Sequence, residues 1–157
     1  MPRAQNQLVK LLQEKKLTLA LGESMTCGLA SHQLSVVKGT SEVFKGSIVC
    51  YHEEVKTSLL KVSRKLIDKY SAESQQATDS IAINLKRIIK ADIHAAITGL
   101  AANGGSETRN KPVGTVFFTV CFANRVHRQR KVFRGTPLQI HKKACNGLYE
   151  FILSILL

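Results

Sequence analysis

The chain is organised around residues 92–116, which read DIHAAITGLAANGGSETRNKPVGTV. One apolar run ends at Thr98-Gly99 and a second one starts at Val113, so the segment predicts a strand, a loop and another strand. The loop, residues 99–112, contains three glycines and is longer than the usual connection of about four to six residues. It predicts a binding loop in which glycines bring backbone amides close to a ligand and Lys111 adds a cation. A flexible hairpin connection is the alternative.

The length and the cysteines limit the class of protein. A chain of 157 residues fits one core, so we expect residues 1–157 to form a single domain. The four cysteines are far apart and form no C-x-x-C pair, which favours buried thiols in a reduced protein and predicts neither a metal site nor a cofactor. No apolar run approaches the roughly 18 residues that span a bilayer, and no signal-peptide core is present. We therefore expect a cytoplasmic protein without a membrane partner.

The charge predicts anionic partners. Lys and Arg outnumber Asp and Glu by 23 to 11, which gives a net charge of +12 and favours polyanions or phosphorylated small molecules. The basic residues are spread over separate predicted elements, however, and each group is also consistent with a solvated surface. Tryptophan is absent and no nucleic-acid module motif accompanies the basic residues, so dedicated nucleic-acid binding is not expected.

Hydrophobic periodicity predicts an α/β fold. Strands and helices alternate in the first two thirds of the chain, and the last two strands form a hairpin with a charged edge strand. The expected structure is a three-layer α/β/α domain with a mixed sheet of about five strands, in which the turns after Leu21, Tyr51 and Thr98 converge. Predicted strands cover 17–21, 44–51, 93–97, 116–122 and 126–133; predicted helices cover 3–15, 29–37, 53–60, 64–70, 74–90 and 137–155.

Residues 22–28, GESMTCG, connect the first strand to a helix. A small polar turn at this place brings backbone amides and the hydroxyls of Ser24 and Thr26 to a helix N-terminus, where an anion or a carbonyl oxygen can bind. The alternative is that Ser24 or Thr26 only caps the helix.

Tyr51 and Lys56 form a second candidate group. Tyr51 ends a predicted strand and Lys56 lies in the first turn of the next helix, so both could face the space near Thr40-Ser41. A hydroxyl beside a desolvated lysine is one way to make a nucleophile. An exposed lysine and an amphipathic tyrosine are the alternative.

Four motifs, in order and at compatible spacing, resemble those of the CinA C-terminal domain family, which includes stand-alone nicotinamide mononucleotide deamidases. The resemblance covers Leu17 to about Phe151. The first family motif, A-E-S-x-T-G-G, is similar to residues 22–28, and the second, P-G-S-S with F-x-x-G-x-x-x-Y-x-x-x-x-K, is similar to residues 38–56. The loop motif T-G-I-A-G-P-x-G-G is similar to residues 98–105. The strand motif K-P-V-G-T-V is similar to residues 111–116.

The resemblance implies hydrolysis of the carboxamide of nicotinamide mononucleotide to nicotinic acid mononucleotide and ammonia, without a cofactor. The implied catalytic residues are Ser24, Ser41, Tyr51, Lys56 and Thr98. Which serine attacks stays open, and Ser41 is preferred because Lys56 follows it on the same strand-and-helix unit. The matching positions also imply a substrate-binding set, with Arg134 as the substitute for a family arginine: Glu23, Thr26, Gly28, Thr40, Gly46, Gly99, Ala101, Gly104, Gly105, Lys111 and Arg134.

The chain departs from the family at several positions. Cys27 replaces a glycine, Ala102-Asn103 replaces Gly-Pro in a loop that is one residue longer, and Thr136-Pro137 replaces Asp-Arg. A catalytically degenerate nucleotide-binding or regulatory domain is therefore the alternative function. The last helix also predicts a homo-oligomer, because its apolar stripe is wider than one side of a sheet requires; the stripe consists of Ile140, Ala144, Leu148, Phe151 and Ile155.

Overall fold

A computed structural model describes residues 3–157, in which five strands and seven helices are defined. The strands are β1 (Leu19–Glu23), β2 (Phe44–Val49), β3 (Ile93–Gly99), β4 (Thr115–Phe122) and β5 (Arg125–Val132). The helices are α1 (Ala4–Lys15), α2 (Leu29–Ser35), α3 (Thr40–Val43), α4 (Glu53–Ser58), α5 (Arg64–Tyr70), α6 (Gln75–Leu85) and α7 (Pro137–Leu156).

The five strands form one mixed sheet in the order β2-β1-β3-β4-β5. Strand β1 runs parallel to both β2 and β3, whereas β4 is antiparallel to β3 and to β5. The predicted mixed sheet and the charged edge strand β5 are thereby confirmed. The chain moves from β1 outward to β2 and then across to β3, so the carboxyl ends of β1 and β3 border the crevice in which such sheets bind ligands.

Helices cover both faces of the sheet, as the three-layer prediction requires. On one face, α1, α2 and α7 bury Leu8, Leu34 and Leu148, and on the other α6 buries Ile81. Gly22 permits the close approach of α6 to β1, because a Cβ atom there would lie 2.5 Å from Ile81 Cγ2. The two apolar faces fix which side each strand residue occupies, and therefore which layer each site residue faces.

Two sequence-based expectations about helices are wrong. The helix predicted over 74–90 ends at Leu85, after which Ile88 donates to Leu85 O in a tighter turn and is 42% exposed. The apolar stripe of α7 is covered within the chain, because α1, α2 and the sheet bury Ile140, Leu148 and Ile152. The homo-oligomer therefore stays a prediction, but the apolar stripe of α7 no longer supports it. A mass of 17.3 kDa, that of one chain, measured by light scattering would contradict the prediction.

None of the helices within residues 3–157 is long and apolar enough to cross a membrane.

Candidate functional site

A cleft of about 390 Å³ lies over the carboxyl ends of β1 and β3. Its walls come from the turn after β1, the loop after β3, the connection before α6 and the first turns of α7. The predicted convergence of loops at this edge is confirmed. The cleft is lined by Ser24, Met25, Tyr51, Glu73, Gly99, Leu100, Ala101, Ala102, Asn103, Gly104, Gly105, Pro137 and His141.

Ser24 is the serine that the structure places in this cleft. Its N–H donates to Ile97 O at 3.1 Å, which continues the pairing with β3, and its carbonyl accepts from Cys27 N at 3.0 Å. The residue is 5% exposed. Because neighbouring side chains on a strand alternate, Ser24 lies on the α6 side of the sheet while Glu23 lies on the α2 side. The hydroxyl thus stands on a fixed backbone beside the cleft.

Glu23 has a structural role in the turn after β1. The fully buried carboxylate accepts six hydrogen bonds. They include those from Thr26 Oγ1 at 2.8 Å and from the amides of Gly28 at 3.0 Å and Ala30 at 3.1 Å. Glu23 therefore caps α2 and fixes the turn that holds Ser24. Glu23, Thr26 and Gly28 hydrogen-bond to one another, and their roles as substrate ligands stay predictions.

Cys27 is exposed, not buried as the sequence suggested, and it has a positive φ of 47°. The other three cysteines are buried. Burial raises the pKa of the Cys50 thiol to about 11, so this thiol is protonated at neutral pH and is no candidate nucleophile.

Lys56 lies beneath the cleft and is 1% exposed. Its Nζ donates to Cys50 O at 2.7 Å and to Tyr51 O at 3.1 Å. Cys50 in turn donates its N–H to Glu23 O at 2.7 Å, so the segment that Lys56 contacts runs directly beside Ser24. Burial lowers the pKa of Lys56, and nearby Cys50, Glu73 and Glu53 oppose that shift.

This geometry suits a general base. In the neutral amine, two N–H groups can serve the two carbonyls while the lone pair remains to accept a proton from a hydroxyl. The predicted desolvated lysine is therefore present, and it lies at the end of β1 that carries Ser24.

Thr98 is fully buried beneath the cleft. Thr78 Oγ1 donates to Ser74 O at 2.6 Å, so Thr98 must be the donor in its own 2.9 Å hydrogen bond with Thr78. The oxygen of Thr98 keeps its acceptor capacity on the layer that holds Lys56. Tyr51, by contrast, is 66% exposed at the rim, and its backbone carbonyl rather than its hydroxyl contacts Lys56.

Ser41 does not join this site within one chain. It is exposed in α3, at the amino end of β2, whereas Lys56 follows the carboxyl end of the same strand. Six strand residues span about 20 Å, so the expectation that Lys56 activates Ser41 of the same chain is wrong.

Two other predicted ligands lie in the same region as Ser41. Thr40 Oγ1 donates to Leu34 O at 2.6 Å and to Val37 O at 2.8 Å, which satisfies carbonyls at the end of α2. Gly46 adopts a φ of 137° within β2, where the pairing with β1 is irregular. Neither Thr40 nor Gly46 lines the cleft of this chain, and their substrate-binding roles stay predictions.

The loop after β3 is held by its own side chains. The amides of Gly104 and Gly105 each donate to the Glu107 carboxylate at 2.8 Å, and the bond from Gly104 contributes most to lowering the pKa of Glu107. Lys111 Nζ donates to Ser71 Oγ at 2.6 Å and to Ser106 Oγ at 2.8 Å. Burial lowers the pKa of Lys111. Lys111 therefore fastens the loop to the connection before α6 and does not line the cleft; its substrate-binding role stays a prediction.

Other loop amides are available to a ligand. Gly99 sits against β4, where a Cβ atom would lie 2.6 Å from Thr115 O. Within residues 3–157, the amides of Met25, Ala101, Ala102 and Asn103 make no backbone hydrogen bond, although all four residues line the cleft. These amides, rather than those of Gly104 and Gly105, are the candidate donors to an oxyanion.

Sequence reasoning missed two ionisable residues of the cleft, Glu73 and His141. Helix α6 leads into β3, and α7 follows β5, so both helices begin at the carboxyl edge of β1 and β3. A search for ionisable residues in the first turns of these helices, or just before them, would have identified both Glu73 and His141. Arg134 lines a separate cavity between β5 and α7, and its role as a substrate ligand stays a prediction.

Within residues 3–157, no cluster of three or more His, Cys, Asp or Glu side chains could hold a metal ion.

The sequence profile of the CinA C-terminal domain matches residues 2–156 of this chain. The chain belongs to the CinA C-terminal domain family. A CinA-like protein from Pseudothermotoga lettingae is 42% identical over 138 residues, and one from Prochlorococcus marinus is 38% identical over 154 residues. These alignments cover 82% and 96% of this chain but only 33% and 36% of the relatives. The chain therefore spans about a third of the length of the curated CinA-like proteins that it matches.

Solved structures of CinA proteins share the fold. The competence or damage-inducible protein from Enterobacter asburiae superposes with a TM-score of 0.91 at 25% identity, over the full length of both chains. A CinA superfamily protein from Escherichia coli gives a TM-score of 0.91 at 24% identity and covers 97% of this chain and 88% of that one. The fold class predicted from the sequence is confirmed by both comparisons.

Two departures from the CinA motifs lie in the cleft itself. Ala102-Asn103 and Pro137 are lining residues, and Pro137 stands where the CinA motif has arginine. The wall formed by α7 therefore lacks the guanidinium group of the family, and His141, one helical turn further along, is the lining residue of α7 that can carry a positive charge.

Proposed function

We propose that the chain hydrolyses the carboxamide of nicotinamide mononucleotide to nicotinic acid mononucleotide and ammonia. One observation supports this most strongly: Ser24 lines the cleft at the end of β1, and the buried Lys56 bonds to the segment that runs directly beside it. A serine hydroxyl is a weak nucleophile until a base removes its proton, and burial, which lowers the pKa of Lys56, favours the neutral amine that can act as this base.

The proposed reaction has two stages. Ser24 Oγ attacks the carboxamide carbon while Lys56 takes the hydroxyl proton, and the negative charge on the carbonyl oxygen is stabilised by cleft amides. Lys56 returns the proton to the nitrogen, the C–N bond breaks and ammonia leaves. Lys56 then takes a proton from a water molecule, which attacks the carbonyl carbon of the Ser24 ester. The bond from that carbon to Ser24 Oγ breaks, Lys56 returns the proton to Ser24 Oγ, and the nicotinic acid product leaves. Thr98, on the same layer, accepts a hydrogen bond from the amide or the water.

The size and the walls of the cleft agree with a mononucleotide. A volume of about 390 Å³ falls within the roughly 300–1,000 Å³ of small-molecule sites. The α6 side holds Ser24 and Lys56, so the carboxamide belongs there. The phosphate then points toward α7, where His141 is the basic side chain of the wall.

The test is the release of ammonia from nicotinamide mononucleotide by the purified protein, followed together with the appearance of nicotinic acid mononucleotide. The Ser24→Ala variant, folded as judged by circular dichroism, is the control for a contaminating amidase. No turnover above that of the variant would contradict the proposal.

A nucleotide-binding domain without amidase activity is the second candidate function. Pro137 and Ala102-Asn103 favour it, because they replace CinA motif residues inside the cleft. In that case a mononucleotide raises the melting temperature, as any ligand of the native state does, and is recovered unchanged. Consumption of the mononucleotide would contradict this candidate.

A further inference from the structure

The cleft has an electrostatic character that the proposed reaction does not use. Of the thirteen lining residues, only Tyr51, Glu73 and His141 are ionisable, and within residues 3–157 no lysine or arginine lines it. In a chain of net charge +12, the one carboxylate in the cleft is therefore exceptional. Its charge is not explained by binding a phosphorylated ligand, since a carboxylate repels phosphate.

Hydrogen bonds from residues that do not line the cleft hold Glu73 in position. Ser106 Oγ donates to Glu73 Oε2, and Lys111 Nζ donates both to Ser106 Oγ at 2.8 Å and to the Glu73 carbonyl at 2.8 Å. Ser71 Oγ donates to the same carbonyl at 3.1 Å. These bonds hold the partly buried side chain in the wall on the α6 side, the side that also carries Ser24 and Lys56.

The negative charge of Glu73 is not neutralised by direct pairing. Four ion pairs within 4 Å occur among residues 3–157, and none contains Glu73. The Lys111 ammonium is turned toward hydroxyl and carbonyl oxygens behind the wall, and Lys56 toward backbone carbonyls beneath it. Glu73 opposes the lowering of the pKa of both Lys56 and Lys111, so these two cations offset part of its charge. Because neither ammonium contacts the carboxylate directly, the remaining charge acts on a ligand in the cleft.

We propose that Glu73 is a specificity residue that selects carboxamides carried on a positively charged ring, that is, N-substituted pyridinium carboxamides, over neutral carboxamides of the same shape. This inference rests on the proposed function, since it assigns the carboxamide ring to the α6 side. A fixed carboxylate in a partly desolvated wall attracts a cationic ring and gives nothing to a neutral one. The same charge directs the phosphate away from Glu73, toward His141 on the opposite side of the sheet.

The test compares the binding of nicotinamide mononucleotide with that of its reduced form, which has the same amide, ribose and phosphate but an uncharged dihydropyridine ring. Calorimetry at pH 7.5, with every protein carrying Ser24→Ala so that neither ligand is consumed, gives both dissociation constants for the otherwise wild-type chain, Glu73→Gln and Glu54→Gln. The last variant removes the same charge from an exposed position on α4. Glu73→Asp, which keeps the charge, is the second variant, and thermal melts establish that each protein is folded.

We expect the wild-type chain and Glu54→Gln to bind the oxidised form about tenfold more tightly than the reduced form, Glu73→Asp to keep most of that preference, and Glu73→Gln to reduce it to within about twofold. Equal affinities in the wild-type chain, an unchanged ratio in Glu73→Gln, or no binding of either form would each overturn the inference. Binding with the expected ratios but without ammonia release would contradict the amidase proposal and leave the selectivity of Glu73 standing. Ammonia release together with an affinity ratio that Glu73→Gln leaves unchanged would contradict the selectivity of Glu73 and leave the amidase proposal standing.

Discussion

The two ends of the parallel strands carry the same kinds of side chain and use them differently. At the carboxyl end, Ser24 lines a cleft, and Thr98 and Lys56 are buried beneath it. At the amino end, Thr40 satisfies carbonyls of α2, and Ser41 is exposed. The comparison shows that a hydroxyl in a family motif becomes a candidate nucleophile only where the topology brings it to a crevice and a base.

Cavity size does not distinguish the two ends. A cavity of about 480 Å³ lies near the start of β3 and is larger than the cleft of about 390 Å³. Its wall contains Lys86 and Lys90, which follow α6 and suit the negative end of the helix dipole. It contains no serine or threonine, so the chemistry of the lining residues, rather than volume, identifies the carboxyl end as the site.

The largest expected effect separates the two serines. Ser24→Ala removes the proposed nucleophile and should lower the rate of ammonia release by at least about 10³-fold. Ser41→Ala changes an exposed hydroxyl at the other end of the sheet and should leave the rate within about twofold. Initial rates at saturating substrate measure both, and a larger loss in Ser41→Ala than in Ser24→Ala would reverse the comparison.

The next effect concerns the base beneath the cleft. Lys56→Met keeps the apolar stem and removes the amine, so the rate should fall by about 10²- to 10⁴-fold, the scale of a lost acid-base partner. Burial lowers the pKa of Lys56 below its ordinary value of 10.5, and only the deprotonated amine acts as a base. In the wild-type chain, kcat/KM should therefore rise with pH and level off below pH 10.5. If the residual activity of Lys56→Met rose with pH in the same way, Lys56 would not be the group whose titration causes the rise.

A smaller effect should come from restoring a cation to the α7 wall. Pro137→Arg places a guanidinium in the cleft and should tighten the binding of nicotinamide mononucleotide about tenfold, with no change for the riboside that lacks the phosphate. Arg134→Ala is the matched control, because Arg134 lines a different cavity. Loss of nucleotide affinity in Arg134→Ala would show that the phosphate lies outside the cleft.

The smallest effect tests the turn that carries Ser24. Cys27 has a φ of 47°, and this left-handed conformation costs a non-glycine residue about 1–2 kcal/mol. Cys27→Gly relieves that cost but loses more chain entropy on folding, so a net gain of about 0.5–1 kcal/mol and a rise in Tm of about 2–3 °C are expected. Cys27→Ala should show no such rise, and a similar rise in Cys27→Ala would point to the thiol instead of the backbone.

The fold was predictable because its signals are local. Alternating apolar runs and amphipathic helices predict the strands, and the hairpin at the end predicts a mixed sheet with β5 at the edge. The position of Lys56 was predictable as well, because it lies in the first turn of α4, the helix that follows β2. Helix ends were less predictable, since the change to a tighter turn after Leu85 depends on tertiary contacts.

The site was only partly predictable, for a geometric reason. Ser41 precedes Lys56 by fifteen positions in the sequence. The whole of β2 lies between them, so Ser41 is at the amino ends of the parallel strands and Lys56 is at their carboxyl ends. The hydrogen-bond partners of Glu23 were not predicted, because they lie on the following helix and on β2. The number of residues between two positions does not give the distance between Ser41 and Lys56 or identify the partners of Glu23, whereas the strand order and register do.

Peptide mapping of the covalent intermediate tests the central claim most directly. The protein is mixed with nicotinamide mononucleotide, quenched in acid during turnover and digested, and the peptides are searched by mass spectrometry for an adduct equal to the substrate minus ammonia. The account predicts that the adduct lies on Ser24 of the peptide that contains the turn after β1, and that it is absent from Ser24→Ala. An adduct on Ser41 would contradict the account.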